Sequence, residues 1–346
     1  FMVIDVESAQ NSFIVTGSTD ANVHNLFMDY NNLIYIQDQS LAKAYRKEFN
    51  EMWGSEEVTP DPSNSKFSSQ KTDNTPHYFK VGESRVELYF SPSDMTGAQI
   101  VDELNKAKDA IRFNMMAFTE NSIGNTLIDK YENSTNVEGI IDYVDFTGSE
   151  YPYLLEAGIP VLDYQNPDGS EWPDGATVHH KYAIIDDQTV ITGSHNWTAA
   201  ADSRNDENTL IIHNPDIADL YWIEYNRVKE FIEDPPDLPF AGDDMITITN
   251  NQSNIINILD NDSHSPGEEY LVDIIREPEH GSAELDQDLN INYTFQGDFQ
   301  QGYDTISYTI TLKKYPIFSD TAEVFITIDL QTDIEYHSIN DLRIYP

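Results

Sequence analysis

His179-His180-Lys181-Tyr182-Ala183-Ile184-Ile185-Asp186 is followed, after six residues, by Gly193-Ser194-His195-Asn196; Glu207 comes eleven positions beyond Asn196, in Asn205-Asp206-Glu207-Asn208. The apolar run Tyr182–Ile185 reads as a buried strand. Side chains two apart on a strand share a face, so His179 and Lys181 project together and His180 points the other way. An imidazole beside an ammonium suits a phosphodiester: the ring attacks phosphorus while the lysine neutralises a non-bridging oxygen on which charge develops. Ser194 and Asn196 add neutral donors from the turn after the next strand. Glu207 is expected to hold the second imidazole nitrogen, fixing tautomer and orientation as in triad chemistry. Asp186 is expected to have a structural role at the strand end, where it would position the lysine, and is counted with the catalytic set. His180 is expected to pack away from the site, and His195 and Trp197 to line the cleft or cap the helix that follows.

The same stretch exposes an internal repeat. Shifting the sequence by 176 residues lays 13–50 over 189–226 without a gap. Thr16-Gly17-Ser18 falls on Thr192-Gly193-Ser194, Asn32 on Asn208, Ile36 on Ile212, Ala42 on Ala218, Tyr45 on Tyr221, Glu48 on Glu224 and Asn50 on Asn226. Upstream, Phe1–Asp5 matches Tyr182–Asp186 once five extra residues in the first copy are allowed. The first counterparts of His179 and Lys181 would then lie three residues and one residue ahead of Phe1. The chain is therefore expected to begin inside the first copy and to lack one histidine of the pair. The first copy departs from the second in two places, with Asp20 where Asn196 stands and Asn31 where Glu207 stands. An acid beside a phosphate is unfavourable, so the first copy is expected to supply only a general acid or a degraded half-site.

Composition sets limits on what surrounds this motif. With 39% hydrophobic and 12% aromatic residues the 346-residue chain is globular, long enough for two or three cores. It has no cysteine, which excludes disulfides, thiolate metal sites and a cysteine nucleophile. No run approaches the roughly 20 apolar residues of a membrane span. Sixty-one acidic against 19 basic residues give a formal charge of −42, a solvated acidic surface that repels nucleic acid and anionic lipid at long range. Any phosphate-binding cations must be local. Strand-like runs and a helix from Leu41 to Trp53 fill residues 1–54. A Ser/Thr/Pro/Asn/Asp-rich linker follows over 55–80, and alternating strand and helix signals run over 81–235. Ile100, Val101, Leu104, Ala107 and Ile111 carry helical spacing. Beyond Pro235-Pro236, short Ile/Thr/Tyr runs between Gly, Asn and Asp turns predict a β-sandwich over 236–330.

The His-x-Lys, Asp, Gly-Ser-x-Asn and Glu elements, at these spacings, resemble the phospholipase D superfamily over residues 1–233, and most closely its bacterial nuclease-type branch. The resemblance implies two pseudo-twofold-related α/β lobes, the first one partial, with mixed sheets flanked by helices. It implies one histidine from each lobe, one forming a phosphohistidine and the other protonating the leaving oxygen, with no cofactor required. Catalytic roles then fall on His179, Lys181, Asp186 and Glu207, and phosphate binding on Ser194, Asn196 and Ser18. Asp5, Gly17, Asp20 and Asn31 are the first-lobe remnant of the motif. With both lobes in one chain the protein is expected to be a monomer.

Residues from Ala241-Gly242-Asp243-Asp244 to Tyr308-Thr309-Ile310 resemble the cadherin-like or Ig-like modules of secreted bacterial proteins. Their Asp/Asn clusters either bind calcium or form turns. Ile339–Pro346, within 331–346, resembles the opening of the sorting domain that Bacteroidetes use for type IX secretion, which implies a secreted or cell-surface protein. The leading expectation is a secreted nuclease. A lipid-cleaving phospholipase D or phosphatidyl transferase is the alternative within the enzyme class, though Trp172 and Trp197 are few apolar residues to line such a cleft. A non-catalytic adhesive protein with relic lobes is the alternative outside it.

Overall fold

The structure, a computed structural model, describes residues 1–164, 176–264, 266–316 and 318–330. Trp172 and the sorting-domain resemblance at Ile339–Pro346 lie outside the described residues. The chain separates into two units, Phe1–Pro235 and Pro236–Pro346.

The first unit opens with β1 (Met2–Ile4), β2 (Phe13–Gly17), α1 (Val23–Phe27), β3 (Leu33–Gln37) and α2 (Gln39–Trp53). Asp38 caps α2 by accepting from Leu41 N at 2.8 Å, and Gly54, at φ 77°, ends it. The chain continues through β4 (Tyr78–Val81), β5 (Ser84–Phe90), α3 (Thr96–Leu104), β6 (Ala110–Ala117), α4 (Asn121–Glu132) and β7 (Asn136–Tyr143). Then come α5 (Tyr151–Glu156), β8 (Val161–Asp163), β9 (Lys181–Ile185), β10 (Thr189–Gly193), α6 (Ala199–Ser203), β11 (Asn208–His213) and α7 (Pro215–Glu233). Ile111, which shares a helical spacing with Ile100 and Leu104, belongs to strand β6. The helix ends at Asn105, and Ile111 is fully buried in the sheet core, so the spacing match there was coincidental.

One sheet has the order β1-β2-β3; the other is eight-stranded, β4-β5-β11-β10-β9-β6-β7-β8. β6, β7 and β8 run parallel and the remaining neighbours of that sheet antiparallel. Every residue of β9 and β10 is buried, which explains their unbroken apolar runs. The repeat holds down to strand register. Phe13 pairs with Ile4 and Gln37, as Thr189 pairs with Ile185 and His213; Gly17 pairs with Leu33, as Gly193 pairs with Thr209. One core, including Phe113, Leu127 and Trp197, lies against α3 and α4. A second joins Ile14, Leu41 and Tyr45 of the first copy to Leu88, Phe90 and Leu210 of β5 and β11, so the copies are packed together.

The second unit contains β12 (Asp244–Ile248), β13 (Ser253–Ile256), β14 (Tyr270–Arg276), β15 (Gly281–Leu285), β16 (Ile291–Phe295), β17 (Gln301–Leu312) and β18 (Ser319–Asp329). Its sheets are β12-β18-β17-β14 and β13-β16-β15. Ile306, Tyr308 and Ile310 of β17 and Val324, Ile326 and Ile328 of β18 alternate into one core, the period-2 pattern of a sandwich strand.

Candidate active site

The site forms where the chain enters β9. His179 Nδ1 is 2.8 Å from the Ser18 carbonyl, across the boundary between the copies. A carbonyl only accepts, so Nδ1 carries the hydrogen and Nε2 keeps the lone pair. Lys181 Nζ donates to His179 O at 2.9 Å and lies 3.3 Å from His179 Nδ1 and 3.4 Å from Met116 Sδ. Burial, reinforced by the Lys181 charge, lowers the pKa of His179, which keeps its ring neutral as a nucleophile requires. Burial also draws Lys181 down to about 8, opposed by Asp20, Glu207, Asp142 and Asp29.

Of the residues named from sequence, the structure gathers His179, Lys181, Ser18 and Asp20. Asp20 Oδ2 stands 3.8 Å from His179 Nε2. Ser18 acts on His179 through its backbone carbonyl; its hydroxyl accepts from Asn32 N at 3.0 Å. Ser194 Oγ accepts from Asn208 N and Nδ2, each at 3.1 Å, which leaves its own O–H to donate to a ligand. Asn196 Oδ1 is buried without a hydrogen-bond partner among the described residues.

Three expectations need correction. Glu207 does not hold the imidazole of His179: the Ser18 carbonyl has taken Nδ1, and Glu207 Oε1 accepts from Asn205 Nδ2 at 3.2 Å. Asp186 stands five residues beyond Lys181 along extended β9, about 16 Å at ~3.3 Å per residue. Its carboxylate accepts from Lys108, Asp109 and Ala110 N at 2.8–3.2 Å, and these bonds outweigh burial and lower its pKa. It therefore anchors the turn before β6 and does not touch the lysine. His195 and Trp197 do not line a cleft. Trp197 is 1% exposed and packs on Phe113 and Phe118, while His195 is 3% exposed and neither ring nitrogen has a partner among the described residues.

The first-copy remnants have local duties. Asn31 Nδ2 donates to Asn25 O and to Asp29 O at 3.1 Å, and its Oδ1 accepts from Thr19 at 2.6 Å. Asp5, like its counterpart Asp186, has a positive φ, at 47° against 52°. Gly17 and Gly193, at φ 140° and 148°, sit where a Cβ would come within 2.3 Å of Asn32 O and 2.1 Å of Asn208 O, so the close strand crossing admits only glycine.

Sequence reasoning missed the surroundings of His180. Its buried ring places Nε2 2.9 Å from Glu224 Oε1 and Nδ1 3.3 Å from Asn32 Nδ2. Burial works against the Glu224 charge, but the bonds from His180 and Arg227 prevail and hold its pKa at about 2. The alignment of Asn32 with Asn208 and of Glu48 with Glu224 was the available signal. Among the described residues, Glu87, Glu103 and His213 cluster closely enough for a metal, but Arg85 and Lys106 already neutralise the two carboxylates. In the second unit, Asp244 Oδ2 and Asp262 Oδ2 converge on the Tyr308 hydroxyl at 3.2 and 2.9 Å.

Comparison with known proteins agrees with this architecture. Residues 100–229 match the family described as cardiolipin synthase, PLD-like domain, and residues 236–327 match the bacterial Ig domain. Phospholipase D of Rickettsia bellii is 31% identical over 144 residues, covering 41% of this chain and 68% of that protein. Mouse mitochondrial cardiolipin hydrolase is 30% identical over 140 residues, 40% of this chain and 60% of that protein; the match spans 50% of the human protein. Nuc from Salmonella typhimurium, a phospholipase D family member of solved structure, is similar at 29% identity and a TM-score of 0.37, over 43% of this chain and 95% of that one. The match to the Rickettsia bellii phospholipase D, together with the two family matches, shows that the chain belongs to the phospholipase D superfamily and carries a bacterial Ig domain at its C-terminal side.

Proposed function

We propose that the first unit is a phosphodiester hydrolase in which His179 Nε2 is the nucleophile. The observation that carries this reading is the His179 Nδ1 bond to the Ser18 carbonyl, which leaves the lone pair on Nε2, in a ring whose Nδ1 side lies 3.3 Å from Lys181 Nζ. The lone pair forms the N–P bond, and the P–O bond to the leaving group breaks with its electron pair going to that oxygen. The resemblance assigns the proton for that oxygen to the histidine of the other copy. Water then attacks the phosphohistidine, releasing a phosphomonoester and restoring the ring. Lys181 and the Ser194 hydroxyl stabilise the non-bridging oxygens, and the scheme routes no step through a metal.

Nucleic acid, the leading expectation from sequence, and lipid compete as substrate. Asp20, Glu207, Asp142 and Asp29 all act on Lys181, a setting that repels a polyanion. Val23, Leu26 and Phe27 share one face of α1, just beyond Asp20, and are 76%, 52% and 72% exposed. Relatives are named for phospholipids. These features favour the lipid reading. The bacterial Ig domain supports an extracellular or surface location.

The test is turnover of bis(p-nitrophenyl) phosphate, phosphatidylcholine vesicles, plasmid DNA and RNA by the full-length protein in EDTA. Hydrolysis of the chromogenic diester should survive chelation and vanish in His179→Ala. Activity lost in EDTA and restored by zinc or magnesium would point to a metal mechanism and sink the reading.

A further inference from the structure

Asn32 and Asn208 are aligned by the repeat; Asn208 orients the Ser194 hydroxyl, while the Asn32 side chain has no part in the chemistry above. In the structure each side-chain amide reaches into the other copy. Asn208 Oδ1 accepts from Thr16 Oγ1 at 2.7 Å and from Tyr45 OH at 3.0 Å. Asn32 Oδ1 accepts from Thr192 Oγ1 at 3.3 Å, and Tyr221 OH, also 3.3 Å from it, shares its single hydrogen with Thr192 Oγ1 at 3.0 Å. Thr16 and Thr192 are repeat counterparts, as are Tyr45 and Tyr221, so the exchange is reciprocal.

The two amides differ in what their nitrogens meet. Asn208 Nδ2 donates to Ser194 Oγ at 3.1 Å. Asn32, with Oδ1 facing the Thr192 and Tyr221 hydroxyls, turns Nδ2 toward His180 Nδ1 at 3.3 Å. Glu224 accepts from the other nitrogen of that ring at 2.9 Å, so His180 carries its hydrogen on Nε2 and receives Asn32 at Nδ1. The Asn32 backbone meanwhile grips Ser18 twice: Ser18 N donates to Asn32 O, and Asn32 N to Ser18 Oγ, each at 3.0 Å. The Ser18 carbonyl then receives His179 Nδ1–H. One first-copy residue thus bears on two adjacent histidines, His180 directly and His179 through Ser18, whose partners call for opposite tautomers.

We propose that Asn32 is a positioning residue for the reaction: its side chain fixes His180 and its backbone clamps the Ser18 carbonyl, so that His179 presents the Nε2 lone pair. The rate readout rests on the phosphodiesterase reading; the spectroscopic one does not. Asn32→Asp keeps the volume and Oδ1 but replaces the Nδ2 donor with an acceptor. In long-range ¹H–¹⁵N spectra of the full-length protein, His180 should change from the Nε2–H tautomer to the doubly protonated ring. The backbone bonds to Ser18 remain in this variant, so the rate effect passes through His180 to its chain neighbour His179: on bis(p-nitrophenyl) phosphate kcat should fall with KM unchanged, by less than the about 10²-fold of a directly misplaced reacting group. Tyr221→Phe, which removes the hydroxyl that bridges Thr192 Oγ1 and Asn32 Oδ1, should lower kcat in the same direction by less; it keeps the test decisive if Asn32→Asp fails to fold. An unaltered His180 spectrum in Asn32→Asp, or an unchanged kcat in either folded variant of an active protein, overturns the proposal. If wild type shows both tautomers but turns over no diester, the reaction reading falls, and the His180 change in Asn32→Asp decides the positioning role alone.

Discussion

Lys181 is the side chain at which function and stability pull hardest against each other. It is 5% exposed, and burial draws its ammonium from 10.5 to about 8. A drop of about 2.5 pH units, at about 1.36 kcal/mol each, makes holding the proton in the fold cost about 3 kcal/mol. Between about pH 8 and 10.5 the unfolded chain binds this proton and the folded one does not. Stability therefore rises with pH across that window, and below about 8 the whole cost is present. Lys181→Met keeps the length of the side chain and removes the charge, but loses the bonds to His179 O and Met116 Sδ, worth about 1–2 kcal/mol together. The variant should be more stable than wild type at pH 7 by about 1–2 kcal/mol. For a unit of this size that is about 2–8 °C in Tm. The gain should vanish between about pH 8 and 10.5 and reverse by 10.5, where the wild-type cost is nearly gone and the lost bonds remain, while turnover falls on the order of 10²–10³-fold through lost charge stabilisation. Thermal unfolding at pH 7 and 10.5, beside the diester assay, measures both. A Lys181→Met protein no more stable than wild type at pH 7 would refute the reasoning, because the ammonium would then not be desolvated in the fold.

Gly193→Ala forces a Cβ to within 2.1 Å of Asn208 O at a φ of 148° and should destabilise the first unit by about 3 kcal/mol or more. Gly82→Ala, at φ 59° with nothing within 4 Å, should cost about 1–2 kcal/mol, and urea denaturation of the pair separates contact from conformation. In the second unit, burial and then neighbouring carboxylates raise Asp244 to about 6 against the Tyr308 bond. The folded state binds more protons between about pH 4 and 6, so this contribution is present below about 4 and lost as pH rises through 6. Asp244→Asn should raise the melting temperature of the Ig-like unit at pH 8 and leave it unchanged at pH 4.

Local pattern determined a good deal about this protein. Alternation along one strand put His179 and Lys181 together and turned His180 away, and the Gly-Ser turn, the repeat and the sandwich strands were all legible, because each depends on residues near in the chain. Proximity in sequence misled at Asp186, since an extended strand carries a residue five positions away to the opposite end of the sheet. It misled at Glu207 for another reason. The partner of His179 is a backbone carbonyl, Ser18 O, which no side-chain identity announces. Asn32 and Asn208 were visible as identical residues, but their exchange with Thr192, Tyr221, Thr16 and Tyr45 was not. Those bonds exist only because Ile14, Leu41 and Tyr45 of one copy pack on Leu88, Phe90 and Leu210 of the other, bringing residues about 160–190 positions apart within hydrogen-bond reach. The chemical groups were set by the sequence, and their tautomers and partners by the docking of the two copies.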